Sequence, residues 1–343
     1  MKRVTPLCST FPAAAVLVFV AVATAAEPRV ELEVVTEQGF VGTDARAWSE
    51  MLTQAGFSSV RIKSGGKDSP SLQTSGTPAA PSYRVVGVLT SGNQLLFPKG
   101  RFGLRDRSQI EAWLRKLREG GEDAINIKPA AFGLLPKQLV AVHEALSAKV
   151  DFTTRGKPPR DVAKQIADRL SLKFVGDETG QRALAAAEPV ADELQGLSSG
   201  TALAAILRPL GLALAPEKNG SDIRLRIAAS QTVKEQWPVG WPPKGNPSET
   251  LPDLFKFLNV EIEKTPINET MTAIADRVKA PLLVDHNAVA RNEVDLAAKV
   301  SFPKSRTFYA SALERMLFQA KLKYELRVDE AGKPLLWVTT LKE

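Results

Sequence analysis

The chain has 343 residues, of which 44% are apolar and 24% are charged, with a formal net charge of +7. Domains of about 100–150 residues are the usual unit, so this length predicts two or three domains rather than one small core. Aromatic residues make up only 6% of the chain, which argues against an aromatic-lined groove for carbohydrate or single-stranded nucleic acid. The composition is that of a globular protein.

The N-terminus has the pattern of an export signal. Lys2 and Arg3 form a short positive region, residues 4–26 carry no charge, and Ala23-Thr24-Ala25 matches an A-x-A cleavage site. This pattern predicts a secretory signal peptide over residues 1–26. The alternative is an uncleaved inner-membrane anchor, because these 23 uncharged residues are about enough to span a bilayer.

Cys8 is the only cysteine, and it lies within the predicted signal peptide. The exported chain then has no disulfide, thiolate chemistry or cysteine-ligated zinc. A large exported chain without disulfides is typical of a bacterial envelope, so we expect a periplasmic or cell-envelope protein. Loss of Lys2 and Arg3 lowers the formal charge from +7 to +5. Export excludes nucleic acid as a partner and leaves membrane contact only to an uncleaved signal segment.

Residues 27–125 are predicted to form a small α/β domain. Alternating apolar residues predict strands at 30–35, 58–63, 83–89 and 94–97. Asp44 is expected to cap a first helix, and Ser108 with Glu111 has the sequence of a capping box at the start of a second. The Ser/Gly/Pro-rich stretch 64–82 predicts a disordered loop.

The strongest pattern in the chain is a repeat. Residues 158–170, PPRDVAKQIADRL, and residues 266–278, PINETMTAIADRV, share Ile-Ala-Asp-Arg at the same distance behind a proline. The matching positions lie 108 residues apart, and they are Pro158, Ile166, Ala167, Asp168, Arg169 and Asp177 with Pro266, Ile274, Ala275, Asp276, Arg277 and Asp285. Further along, leucines match at an offset of 110, namely Leu203, Leu207, Leu212 and Leu225 with Leu313, Leu317, Leu322 and Leu335. A change of offset indicates a loop insertion, so a whole module is repeated rather than a short box.

Each copy is predicted to have the order β-α-β, a variable middle with a strand, then α-β-β, with two helices packed on short sheets. Module A covers residues 126–230, including a leading helix that begins at Pro136, and module B covers residues 260–343. The Pro/Trp-rich segment 231–259 is expected to link them. The whole chain is therefore predicted to be an α+β protein of three small domains, of which the last two are a tandem repeat.

Three finer expectations follow from the repeat. A strand should precede each first helix, at residues 150–154 in module A and 260–264 in module B. The isoleucines of the two Ile-Ala-Asp-Arg segments should face the sheets, while the Asp-Arg pairs should lie on the surface, where ion pairs contribute little. Trp237 and Trp241 should anchor the linking segment onto a domain.

The repeats resemble the short domain found at the N-terminus of secretins and TonB-dependent transducers, often abbreviated STN. VAKQIADRLSLKFVGD and ALAAILRPLGLAL carry the resemblance in module A, and MTAIADRVKAPLLVDH with the stretch ALERMLFQAKLKYELRVDEAGKPLLWVTT carries it in module B. Module B departs from the family pattern at Lys321, where the family usually has glycine. The resemblance implies a role in docking another protein, or another copy, in the periplasm. It does not extend to residues 27–125.

Two short patterns raise the question of catalysis. GLSSG, residues 196–200, matches the G-x-S-x-G nucleophile elbow, which needs a preceding buried strand and a later histidine. His286, in VDHN, is the only later histidine. The opposing interpretation is a turn in which Ser199 or Gly200 caps a helix, with Asp285 or Asn287 capping another after VDHN. His143 is expected to be structural, because it has no partner at metal-ligand spacing.

No metal-ligand spacing, P-loop, dinucleotide-binding glycine motif or carboxylate pair stands out, so no catalytic, cofactor-binding or metal-binding residue is assigned. The sequence predicts a non-catalytic docking or assembly protein whose partner is an envelope protein or a second copy. One alternative is an exported hydrolase that uses Ser198 and His286. Another is a protein that binds an envelope polymer, favoured if Trp237 or Trp241 is exposed beside arginine and lysine.

Overall fold

A computed structural model describes residues 28–40, 44–65, 69–77, 80–219 and 222–342. The predicted α+β class is confirmed, because the chain has helices together with several small sheets. Three domains were predicted, whereas the chain forms two compact units divided between Glu122 and Asp123, with modules A and B in the same unit. The predicted signal peptide, residues 1–26, lies outside the described residues, and no described helix is long and apolar enough to cross a membrane.

The described residues of the first unit form one sheet and two helices. Its elements are β1 (Arg29–Thr36), α1 (Ala45–Gln54), β2 (Ser59–Ser64), β3 (Ser71–Thr77), β4 (Ala80–Leu89), β5 (Gln94–Phe97), β6 (Gly100–Gly103) and α2 (Arg107–Asn126). The strand order is β2-β1-β4-β5-β6, with β3 also paired to β4 and with β1 parallel to both of its neighbours. Gly121 interrupts α2 with a φ of 64° and a ψ of −159°. The buried residues of α2 are Ile110, Trp113, Leu114 and Leu117.

Glu33 fixes the register of the three parallel strands on their solvent side. Its carboxylate, on β1, accepts hydrogen bonds from Lys63 of β2 at 2.5 Å and from Arg84 of β4 at 2.6 Å. These two hydrogen bonds lower the pKa of Glu33 to about 2. The diagonal arrangement is typical of charged pairs across neighbouring strands.

The prediction of a disordered loop at residues 64–82 is wrong over most of its length. Residues 71–77 form β3, which pairs antiparallel with β4 from Ser71–Val86 to Thr77–Ala80. The strand is serine-rich and largely exposed, so it lacks the apolar alternation that identifies a half-buried strand. Its backbone groups are satisfied by pairing to the neighbouring strand, which does not depend on apolar side chains.

Both predicted helix caps in this unit are also wrong. α1 does begin directly after Asp44, but that carboxylate accepts a hydrogen bond from Asn93 Nδ2 at 2.8 Å instead of capping the helix. α2 begins at Arg107, so Ser108 lies inside its first turn. The carboxylate just before this helix, Asp106, accepts from the backbone N–H of Gly103 at 2.8 Å.

Module A is mainly helical. Its elements are α3 (Pro136–Leu146), α4 (Pro159–Ala167), β7 (Lys173–Gly176), α5 (Glu178–Ala186), α6 (Ser199–Leu207), β8 (Leu212–Asn219) and β9 (Asp222–Ala229). The sheet order is β7-β9-β8, with β7 parallel and β8 antiparallel to β9. Pro136 occupies the first turn of α3 as predicted, where its missing N–H costs nothing.

Module B has a similar order with two additional ten-residue strands. After the short helix α7 (Pro247–Thr250) come β10 (Phe257–Pro266), α8 (Ile267–Val278), β11 (Leu282–Val284), α9 (His286–Arg291), β12 (Lys299–Phe308), α10 (Tyr309–Gln319), β13 (Leu322–Val328) and β14 (Pro334–Thr340). Its three-stranded sheet has the order β11-β14-β13, with β11 parallel and β13 antiparallel to β14. β10 and β12 form a separate antiparallel pair.

The three-stranded sheets of the two modules thus have the same strand order and directions. Asp177 and Asp285, which match at the offset of 108, also have the same role, since each accepts a hydrogen bond from a backbone N–H three residues on, at the start of α5 or α9. The modules differ where a strand was expected at residues 150–154. In the described chain this segment forms no strand, and the bridge nearest to it joins Lys149 to Ser198. Module B has the ten-residue strands β10 and β12.

The two modules are packed against each other. Leu283, Leu335 and Trp337 of module B belong to the buried core of module A. The isoleucines of the repeated segments are buried as expected, with Ile166 1% and Ile274 6% exposed. The two modules are therefore not independent domains within the second unit.

Candidate functional site

The first candidate site is the junction between the modules, where the turn after β13 contacts the start of α6. Two carboxylates of this turn form what we call the acidic tip, Asp329 and Glu330, which are only 3% and 7% exposed. Asp329 Oδ2 accepts a hydrogen bond from the backbone N–H of Ser198 at 2.9 Å. Carboxylates are favourable there because the first N–H groups of a helix have no partner within it.

Glu330 is the second buried acid of the tip. One carboxylate oxygen accepts from the backbone N–H and the hydroxyl of Thr201, at 3.1 and 2.8 Å, and the other accepts from Trp237 Nε1 at 2.5 Å. Burial raises the pKa of Glu330 above its usual value, against the opposing effect of these donors. Gly200 leaves room for this acid, because a Cβ at that position would lie 2.5 Å from Glu330 Oε1.

The G-x-S-x-G match therefore has a structural role at the junction. Ser198 is 1% exposed, and its Oγ accepts a hydrogen bond from the backbone N–H of Ala331 at 3.2 Å. α6 begins at Ser199, so Ser199 and Gly200 lie inside its first turn, and the prediction that one of them caps the helix is wrong. The N-cap residue, Ser198, makes no side-chain capping hydrogen bond. The Ser199 hydroxyl instead donates to the carbonyl of Ala148 at 2.7 Å. Nothing local in the sequence links the acidic tip to a helix 129 residues away.

Arg208 and Asp285 make a second contact across the junction. Arg208 lies just after α6 and donates from Nε and Nη2 to Asp285 Oδ2, at 2.9 and 2.8 Å. Burial opposes ionisation of Asp285, yet the hydrogen bonds and charge of Arg208 bring its pKa below the usual value. Trp337 lies between two guanidinium groups, with Arg208 5.7 Å and Arg327 5.2 Å from its ring centroid.

His286 lines a cleft of about 540 Å³ between the modules. Its Nε2 lies 3.1 Å from Asp192 Oδ2 of module A. This hydrogen bond raises the pKa of His286. The cleft also presents Arg155, Asp276 and Lys279, a mixture of charges that selects no single ligand class. Ser198 hydrogen-bonds to Ala331, whereas His286 hydrogen-bonds to Asp192. These contacts do not pair Ser198 with His286, as the hydrolase alternative requires.

The two tryptophans of the linking segment anchor it, as predicted. Trp237 is 3% exposed, and its backbone N–H donates to the carbonyl of Leu214 at 2.7 Å. Trp241 is half-buried and exchanges backbone hydrogen bonds with Val328 of β13. His143 packs against both rings, with centroid distances of 6.1 Å. Polymer binding was favoured only if Trp237 or Trp241 was exposed beside arginine and lysine. Trp237 is buried and does not meet this condition.

The second candidate site is a groove of about 470 Å³ on module B, between β10 and α8. Leu258, Val260 and Ile262 line it from the strand, and Ala273, Ile274 and Arg277 line it from the helix. Ile274 and Arg277 belong to the second Ile-Ala-Asp-Arg segment. Sequence reasoning placed this arginine on the surface but assigned it no role, because only the fold shows that β10 and α8 leave a gap.

The outer side of the same strand pair carries exposed aromatic rings. Phe257 of β10 and Phe308 of β12 are 56% and 37% exposed, and their rings stack with centroids 4.2 Å apart. The guanidinium of Arg306 lies 4.7 Å from the Phe257 ring centroid. An exposed apolar patch with a charged rim is typical of a protein-interaction surface.

Within the described ranges, no three His, Cys, Asp or Glu side chains cluster in a way that could hold a metal ion. The features that remain for a functional argument are the junction, the groove and the exposed Phe257–Phe308 stack. No protein-family model, no curated protein and no solved structure matches this chain.

Proposed function

We propose that this chain is a non-catalytic docking protein of the bacterial cell envelope, exported by residues 1–26, which binds another protein through module B. The observation that carries the proposal is the exposed Phe257–Phe308 stack on the outer face of the β10–β12 pair. Exposed aromatic rings cost solvation free energy unless a partner covers them. Aromatic and arginine side chains are also the residues that most often dominate binding energy at protein interfaces.

The junction supports the non-catalytic part of the proposal. Ser198 is buried under the hairpin of module B, and its Oγ accepts a backbone hydrogen bond. A serine nucleophile needs an exposed Oγ and an adjacent base. His286 is engaged instead with Asp192.

The topology supports the resemblance to the STN family. Both modules order their three-stranded sheets in the same way, and Asp177 and Asp285 begin equivalent short helices. Duplication of one module accounts for this agreement together with the matching positions in the sequence. In such a pair, module A together with the linking segment holds module B in a fixed orientation and leaves its β10–β12 face open.

The proposal is tested by cross-linking the full-length chain in intact cells and identifying what is attached. The double variant Phe257→Ser/Phe308→Ser is compared with Phe318→Ser, which removes a 66% exposed aromatic from α10 of the same module. We expect the double variant to lose a specific cross-linked protein that the wild type and the control retain. Unchanged cross-links in the double variant, or a hydrolytic activity abolished by Ser198→Ala, would overturn the proposal.

A further inference from the structure

The groove on module B is bounded by a strand with an unused edge. In the described part of the chain, β10 pairs only with β12. In an antiparallel pair, alternate residues direct their backbone N–H and C=O groups to the neighbour, and the others direct them away. β10 is ten residues long, and its register with β12 is regular from Phe257 to Val260 and shifts before Ile262 and again before Thr265. Among the described residues it has no neighbour on its second side. A free edge of this kind is a template for pairing with another chain.

The groove next to this edge has the form needed for an added strand. Leu258 and Ile262 on β10, and Ala273 and Ile274 on α8, give it apolar walls. A peptide that adds to a sheet edge places alternate side chains into such a groove, while its backbone hydrogen bonds supply affinity. The strand edge and the helix therefore act together as one binding site.

A comparison of the two modules indicates what is missing at this site. In module A, Arg169 forms an ion pair with Asp151 and lies over the ring of Phe152, 5.2 Å from its centroid. At the offset of 108, Arg169 corresponds to Arg277 and Asp151 corresponds to Asn259. Arg277 and Asn259 both line the groove. Among the described residues, the guanidinium of Arg277 has no hydrogen-bond or ion-pair partner.

Glu269 gives the groove a polarity along its length. It lies with Thr265 at the end where β10 runs into α8, two turns of helix before Arg277. The Glu269 carboxylate also has no charged partner among the described residues. The groove is thus negative at one end and positive at the other, which favours a segment with the opposite arrangement of charge.

We propose that module B binds an extended segment of a partner protein as a third strand on β10, with apolar residues at alternate positions and a carboxylate at Arg277. This carboxylate pairs with Arg277 in the way that Asp151 pairs with Arg169 in module A. A basic residue of the same segment meets Glu269 at the other end. This inference rests on the proposed docking function, and it names the site and the chemistry of what is docked.

The test uses a library of random twelve-residue peptides displayed on phage and selected against the exported chain. We expect the enriched peptides to alternate apolar residues and to contain an acidic residue, and we expect Arg277→Glu to replace that acid by a basic residue. An enriched peptide is then synthesised and its affinity is measured by fluorescence anisotropy. Asn259→Asp restores an in-chain acid beside Arg277 and should weaken binding by about 10-fold or more. The matched change in module A, Asp151→Asn, should leave the affinity unchanged.

Strand addition itself is tested on the peptide, so that the protein is not perturbed. N-methylation of one alternate set of peptide bonds should abolish binding, while N-methylation of the other set should be tolerated. Bound peptide should also slow hydrogen exchange of β10 amides. Equal tolerance of both sets, protection outside β10 and α8, or equal affinity for Asn259→Asp and wild type would overturn the inference.

Two further outcomes separate this inference from the docking function. If sedimentation shows a dimer that Asn259→Asp dissociates, the groove binds a second copy and the inference is wrong. If the Phe257→Ser/Phe308→Ser variant loses its cellular cross-link while the groove variants keep theirs, the docking function holds and the groove does not mediate it. If selection against this chain enriches no peptide beyond what an unrelated control protein enriches, the groove inference is wrong and the docking function is unaffected.

Discussion

Arg208 and Asp285 join the two modules through a pair in which both guanidinium contacts go to one carboxylate oxygen, at 2.9 and 2.8 Å. The acid is 1% exposed, whereas the side chain of Arg208 is 45% exposed. Removal of the arginine leaves a buried charge without compensation, which costs about 3–5 kcal/mol. Because Arg208 is partly exposed, we expect Arg208→Met to lower the free energy of unfolding by about 3 kcal/mol, measured by urea denaturation.

The control for this change is an ion pair that lies on the surface. Arg182 pairs with Glu178 within α5, and both side chains are more than 70% exposed. Arg182→Ala should cost about 0.5 kcal/mol or less. The double variant Arg208→Met/Asp285→Asn should recover part of the loss, because it removes the unpaired charge. Equal effects of Arg208→Met and Arg182→Ala would show that the junction does not depend on the buried pair.

At Gly200, we expect replacement by alanine to change stability in the direction opposite to the one that helix propensity predicts. Replacement of glycine by alanine in a helix usually stabilises it by about 0.5–1 kcal/mol. Here the new Cβ would lie 2.5 Å from Glu330 Oε1 and 2.8 Å from Trp237 Nε1. We expect Gly200→Ala to destabilise the chain by about 1–3 kcal/mol in thermal or urea unfolding. Gly245→Ala, which meets nothing closer than 3.5 Å, is the control and should have little effect.

Glu330 predicts a pH dependence that a glutamine at this position lacks. Burial raises its pKa above the ordinary 4.5, so the folded state holds the proton more tightly than the unfolded state does. The stability from this group is then complete below pH 4.5 and is lost as the pH rises through the folded pKa. Relative to Glu330→Gln, the wild type should lose unfolding free energy as the pH rises above about 4.5. A constant difference, or one of opposite slope, would show that the donors of Trp237 and Thr201 outweigh burial.

The apolar skeleton of the repeat was predictable because it is periodic. Ile166 and Ile274 recur at helical spacing and are buried as expected. The polar partners of the junction have no such period. The Ser198 N–H meets Asp329 at a separation of 131 residues, and no local pattern links GLSSG to RVDEAGKP. The groove is a gap between β10 and α8, so it depends on how two elements pack and not on either one alone.

β3 is a strand that its own amino-acid composition did not predict. Its residues, Ser71 to Thr77, are polar and exposed, so composition predicted disorder. Backbone pairing to β4 is what makes it a strand, and that information lies in the partner strand. The same reasoning explains residues 150–154, where apolar alternation predicted a strand that finds almost no partner to pair with.

His286 and Asp192 connect the modules through a contact that changes with pH near neutrality. The hydrogen bond that Asp192 accepts from His286 is the main cause that raises the pKa of His286 above 6.5, with burial opposing it and Asp285 adding a smaller favourable charge effect. A raised folded pKa means that the pair contributes fully below pH 6.5 and that its contribution is lost as the pH rises through the folded value. The wild type should therefore lose unfolding free energy relative to His286→Gln as the pH rises above about 6.5.

The pKa of His286 can be measured directly by NMR titration of its ring. The chain has only two histidines, so His143→Gln leaves the signal of His286 alone. In that background, Asp192→Asn should lower the pKa of His286, because burial then acts without its main opponent. A pKa that stays the same in Asp192→Asn would mean that this contact across the junction is not formed in solution.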